Sequence, residues 1–298
     1  MPVMLPGSRY SSPSRRLAGI LGWLWLAATP AVASSGAGLA TLDWTLAETL
    51  VALEAPPRGV AQVGAYHEWV GAPRLTNQVI DLGLRSQPNT ELLAHLAPAH
   101  IAISPMFANL TPRLSKIGQV ATFSLYTGKQ EAWDEAVALT HALGEVTGRP
   151  AAAESLVEET AAHIESLRQG LPQGIPPLLI IQFMDDRHVR VFGEHSLYQA
   201  VLERLELENA WQEQTNAWGF SLVGLERLIT LDAQLVVIEP YPTGIAEKLP
   251  RSALWQHLPS VRDGTWLTLP PAWSFGALPS ARRFAELLAA ALAVAPEA

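Results

Sequence analysis

The stretch over residues 150–168, PAAAESLVEETAAHIESLR, constrains this chain more than any other. Its apolar or small residues Ala153, Leu156, Val157, Thr160, Ile164 and Leu167 recur at helical spacing and mark one buried stripe. Pro150 suits a first helical position, Gly148 a cap on a preceding helix, and Gly170-Leu171-Pro172 a stop. On both sides the sequence alternates strand and helix patterns. A helix between two α/β halves is a stiff linker where a Gly/Ser segment would be floppy. The competing reading is one more helix inside a single α/β domain.

Composition narrows the function classes. A chain of 298 residues can bury a core in one large domain or two moderate ones. Its 49% hydrophobic and 16% charged residues describe a globular protein. The formal net charge of −8 argues against nucleic acid, which calls for a basic face. There is no cysteine, so disulfides and thiolate chemistry are excluded. Ten tryptophans hint at binding surfaces, because aromatic side chains supply much contact area at little entropy cost.

The N-terminus reads as a sorting signal. Arg9, Arg15 and Arg16 precede an apolar run over 17–28, and residues 29–33 end in Ala-Val-Ala. These are the parts of a secretory signal peptide, and the run is short for a bilayer span. No cysteine follows that could carry a lipid anchor. Ser14-Arg15-Arg16 leaves the Sec and twin-arginine routes both open. Removing residues 1–33 takes away three positive charges and no acidic ones, so the formal charge goes from −8 to −11. The mature protein is expected to be exported and periplasmic.

Residues 34–148 read as strand–helix units. A short helix over 44–53 is followed by a strand over 60–66 and a loop carrying His67, Glu68 and Trp69. A strand over 79–83 leads into the loop 84–88, and a helix over 89–97 into the strand 100–104. The loop 105–111, a strand over 119–125 and a helix over 131–146 complete the half. Such alternation implies a mostly parallel sheet, in which ligands sit beyond the carboxyl ends of the strands. That rule selects Trp69, Arg85 and the Met106-Phe107 pair. Residues 171–298 read as a β-hairpin turning at 185–188, a helix over 196–205, a loop over 209–220 and a helix over 224–230. Strands over 235–239 and 265–269, the turn 271–276 and a final helix over 280–293 follow.

The halves share a pattern. ELLAHLAPAHIAI from Glu91 and ERLITLDAQLVVI from Glu226 both place leucine two and five residues after the glutamate, and an apolar strand at the end. The register is ungapped, and it favours two similarly built lobes.

Three stretches carry a resemblance to a known family. VIDLGLRSQPNTELL (79–93), NAWQEQTNAWG (209–219) and PAWSFGA (271–277) resemble, in order, motifs of periplasmic ferric-hydroxamate-siderophore-binding proteins of the FhuD type. These are helical-backbone substrate-binding proteins of ABC importers, and the similarity runs from about residue 38 to about residue 290. The resemblance implies two α/β lobes with mainly parallel sheets, joined by one long backbone helix, with the ligand cleft between them. The expected parts are a signal peptide (1–33), an N-terminal lobe (34–148), the linking helix (149–170) and a C-terminal lobe (171–298).

It also implies roles. Arg85 matches an arginine that donates to iron-bound hydroxamate oxygens, a task suited to a guanidinium with several fixed donors. Trp69, Trp218 and Trp273 match aromatic residues of the site. Phe107 and Phe275 fall where well-known members carry tyrosines, so the apolar wall is kept and a donor is lost. Glu91 and Glu226 match the glutamates that dock onto the membrane permease; an acidic residue there also favours the helix dipole.

Catalytic motifs are missing. No Gly-rich phosphate loop, Gly-x-Ser-x-Gly elbow or HExxH pair occurs, and Asp185-Asp186-Arg187-His188 reads as a hairpin turn. The sequence therefore points to a monomeric binding protein, not an enzyme, with no cofactor and no metal ligands of its own. Its cargo is expected to be an Fe(III)-hydroxamate siderophore that saturates the metal itself, handed to an inner-membrane ABC permease. The alternatives are a catecholate, haem or corrinoid in the same cleft, and an exported enzyme on a two-lobed scaffold.

Overall fold

The computed structural model describes residues 38–294, so the sorting signal expected over residues 1–33 lies outside it. Strands β1 (Leu39–Thr41), β2 (Gly59–Val60) and β3 (Ile80–Asp81) are followed by a small antiparallel ribbon of β4 (Gly83–Leu84) and β5 (Gln87–Pro88). With β6 (His100–Ile103) and β7 (Gln119–Thr122), the first three form a sheet of order β3-β2-β1-β6-β7, parallel throughout. Strands β8 (Leu178–Phe183), β9 (His188–Phe192), β10 (Phe220–Gly224), β11 (Gln234–Ile238) and β12 (Leu267–Leu269) form the second sheet, ordered β10-β9-β8-β11-β12. This sheet is mixed, with β8-β11 and β11-β12 parallel and the hairpin expected at 185–188 at its other side. The hairpin at 185–188 makes β8-β9 antiparallel, and β9-β10 is antiparallel too. Asp185 Oδ1 holds that turn by accepting from the amides of Arg187 and His188 at 2.8 and 2.7 Å.

The ungapped pattern from Glu91 and Glu226 has a topological meaning. Its strands β6 and β11 each lie beside the central strand of their sheet, one place in from an edge. Glu91 opens the Thr90–Leu96 helix, whose cap is Asn89 accepting from the Leu92 amide at 2.9 Å. Glu226 lies in a shorter 3-10 turn, Leu225–Leu228, instead of the helix expected over 224–230. Central strands such as β8, LLIIQF, are buried along their whole length, as layers on both faces require.

The linking helix runs Pro150–Gln169, with Pro150 at its start and Gly148 in the left-handed conformation capping the helix before it. Ala153, Thr160 and Ile164 of the expected stripe are buried, and Leu156, Val157 and Leu167 half-buried. The helix is no free rod. It packs along the Ala132–Thr147 helix and the final helix, Leu278–Val294, and a Cβ added at Gly144 would come within 2.6 Å of the Ala153 Cβ. Its core joins residues of both halves into one cluster, including Leu50, Leu139, Ile164, Tyr198 and Phe284.

Candidate functional site

A cleft of about 530 Å³ opens at the carboxyl ends of the strands, a volume suited to a small-molecule ligand. Its wall takes Asp43 and Thr45 from just after β1, Ser104 to Met106 from after β6 and residues 123–127 from after β7. The other lobe adds Arg190 from β9, Trp218, Phe220, and Trp273 and Phe275 from after β12. A second, larger opening of about 750 Å³ is lined by the segments before β8 and β11, by β12 with the residues flanking it, and by the end of the final helix. It lies at the amino ends of β8 and β11 and along the edge strand β12, away from the carboxyl ends where α/β sheets place their ligands.

Arg85 reaches the cleft because β4 and β5 pair Leu84 with Gln87, leaving Arg85 and Ser86 as a two-residue turn. Its Nε donates to the Leu42 carbonyl at 3.0 Å, and its guanidinium lies 4.5 Å from the Trp44 ring centre and 5.2 Å from that of Phe107. Asp43 supports it from behind. One carboxylate oxygen caps the Trp44–Ala52 helix through the Thr45 amide at 2.9 Å; the other accepts from Ser104 Oγ at 2.7 Å and lies 3.7 Å from Arg85 Nη2. Burial draws the Arg85 pKa down, and Asp43 opposes the shift. The charge is thus held in place with donors left for a ligand.

Trp218 is presented by an Asx turn. Asn216 Oδ1 accepts from the Trp218 and Phe220 amides at 2.9 and 3.3 Å. Phe275 is the hub of the wall, with ring centres of Trp273, Trp218, Phe220 and Tyr126 at 5.3, 5.4, 5.9 and 6.3 Å. Tyr126 supplies no free hydroxyl, because its O–H donates to the Gly276 carbonyl at 2.6 Å.

Of the residues singled out from sequence, Arg85, Trp218, Trp273 and Phe275 meet in the cleft. Trp69 and Phe107 stand behind its lining. Trp69 does not sit in a loop: it ends the Val63–Trp69 helix and meets the Trp273 ring edge-on at 6.4 Å. Phe107 lies buried in the 3-10 turn Pro105–Leu110, under the Arg85 guanidinium. Glu91 and Glu226 are both exposed. Sequence reading missed Asp43, Ser104 and Arg190. Arg190 had a signal: it alternates with Val189 and Val191, both fully buried on the other face of β9. Among the described residues no group of three or more His, Asp or Glu side chains is placed to hold a metal ion.

Two α/β lobes, a linking helix and an aromatic cleft at the strand ends define a substrate-binding architecture. The family profile described as periplasmic binding protein matches residues 39–272, and the chain belongs to that family. It is 33% identical over 252 residues to the iron(3+)-hydroxamate-binding protein FhuD of Escherichia coli strain K12, covering 84% of this chain and 85% of the relative. The crystal structure of the siderophore-binding protein FhuD from Vibrio cholerae, bound to Fe3+-Desferal, superposes with a TM-score of 0.82 at 28% identity, covering 87% of this chain and 98% of that one. The triscatecholate siderophore-binding protein FeuA of Bacillus subtilis shares the fold, with a TM-score of 0.67 at 15% identity, covering 86% and 92%.

Proposed function

We propose that this chain binds one iron(III)-hydroxamate siderophore in the cleft and delivers it to an inner-membrane ABC importer, without chemistry on the cargo. The observation that carries the reading is Arg85: a half-buried guanidinium, braced by Leu42 and Asp43, facing an aromatic cavity. A hydroxamate chelate offers the matching surface, an oxygen-rich face around iron and an apolar periphery. The wall of Trp218, Trp273 and Phe275 suits that periphery, and Trp69 and Phe107 support it from behind.

In this reading residues 34–148 and 171–298 are the lobes, residues 149–170 the link and residues 1–33 an export signal, and the mature protein is a periplasmic monomer. Glu91 and Glu226, exposed at equivalent points of the two lobes, are the contacts to the permease. The test is a tryptophan-fluorescence titration of the mature protein with ferric trihydroxamates and with a ferric triscatecholate. The expected result is saturable one-to-one quenching by hydroxamates; no response to any hydroxamate would refute the reading. Lysine at both Glu91 and Glu226 should leave that titration unchanged and impair uptake by cells.

A further inference from the structure

Arg190 is a second cation in the cleft, and its surroundings differ from those of Arg85. It comes from the opposite lobe, in the middle of β9, cross-strand from Gln182 of β8 and Leu222 of β10. Its guanidinium lies 5.1 Å from the Phe220 ring centre and 5.3 Å from that of Phe275, on the wall beside Trp218. The neutral Gln182 amide oxygen, 3.5 Å from Nη1, is its hydrogen-bond partner. Arg85 has Asp43 behind it; Arg190 has no carboxylate at ion-pair distance among the described residues. Burial lowers its pKa, and Tyr198 opposes the shift.

The charge of the lining follows. Its formally charged residues are Asp43, Arg85 and Arg190. Glu135 is one layer back, accepting from the Thr127 amide at 2.9 Å and from the Thr127 hydroxyl. Glu48 is buried and engaged by Ala277 and Ser280. The cleft face thus carries one positive charge more than its own carboxylate balances, in an apolar surround where screening is weak. A half-desolvated guanidinium with only a neutral amide for a partner is costly unless a ligand supplies a charged or oxygen-rich acceptor.

We infer that Arg190 is a specificity-determining residue that makes the site select chelates by pendant charge, favouring hydroxamates with a free carboxylate or no charge over those with a pendant ammonium. The inference rests on the reading of the cleft as a ferric-hydroxamate site. A ferric trihydroxamate core is itself neutral, so the side arm sets the charge that Arg190 meets.

The test uses one chelate scaffold with three arms: ferrioxamine B, whose amine is protonated at neutral pH, its N-acetyl derivative and its N-succinyl derivative. Titrated into the mature protein at low salt, affinity should rise from ammonium to acetyl to succinyl, by about tenfold or more across the series. The spread should shrink at high salt. Arg190→Gln should collapse the series, and Arg190→Lys should keep most of it, because charge is retained. Equal affinities in the unaltered protein would overturn the inference, as would an unchanged order in Arg190→Gln. Binding of none of the three would overturn the inference, and the hydroxamate reading falls with it only if no other ferric trihydroxamate binds; equal binding of all three leaves that reading standing.

Discussion

Glu48 lies fully buried where the Trp44–Ala52 helix meets the turn before the final helix. Its two oxygens accept from the Ala277 amide at 2.7 Å and from Ser280 Oγ at 2.5 Å, so one acidic side chain ties the two lobes together beside the cleft. Desolvation pushes its carboxyl up from 4.5 to about 8, against those two hydrogen bonds and with a small push from Asp43. Between these values the folded protein holds a proton that the unfolded chain has released. Stability should therefore fall as pH rises from about 4.5 through about 8, by up to a few kcal/mol. Glu48→Gln keeps an acceptor for Ala277 and carries no charge, so it should flatten that part of the profile. Thermal unfolding at pH 5 and pH 8 checks this, and parallel losses in both proteins would contradict it.

At the scale of elements, the loop before β10 shows how a short turn places a site residue. Gly219 has φ +74°, and a Cβ there would approach the Ser196 amide nitrogen to 2.2 Å. Ser196 in turn caps the Leu197–Arg204 helix. Gly219→Ala should cost about 1–3 kcal/mol from the strained backbone alone, and weaken chelate binding by shifting Trp218. Urea unfolding and the fluorescence titration read the two effects; wild-type values in both would contradict the account. Much at this scale was legible in the sequence. The stripe from Ala153 to Leu167, the cap at Gly148 and the hairpin at Asp185 are local signals with local causes. Trp69 was not, because the seven-residue Val63–Trp69 helix starts at Gln62 in the left-handed conformation, and Gln62 does not cap it. Long-range contacts hold it instead: the Asp81 carboxylate accepts from the Gln62 and Val63 amides at 3.0 and 3.1 Å, Trp69 packs on Trp273, and the Tyr66 hydroxyl donates to the Pro73 carbonyl at 2.6 Å. Which tryptophans line the cleft and which stand behind it depends on long-range contacts, as Trp44 bonding to the Ala61 carbonyl illustrates. The antiparallel β8-β9 pair follows from the hairpin, and alternation with Val189 and Val191 turns Arg190 to the other face of β9; that this face fronts the cleft is set by long-range packing.

Across the whole molecule, the turn at 270–277 is bolted to the first lobe. Thr45 Oγ1 donates to the Phe275 carbonyl at 2.6 Å, Tyr126 donates to Gly276, and Glu48 accepts from Ala277 and Ser280. The linking helix leans on helices from both sides of the chain. A molecule built this way should have little room to hinge, so a preformed cleft is the expected outcome. A crystal structure of the mature protein with a bound ferric hydroxamate tests this account most directly. It should show one chelate between the lobes, its oxygens hydrogen-bonded to Arg85 and its periphery against Trp218, Trp273 and Phe275, with the lobes shifted by less than about 1 Å from the unliganded structure. A chelate bound outside this cleft, or a hinge closure that breaks the Glu48–Ala277 and Tyr126–Gly276 bonds, would contradict it.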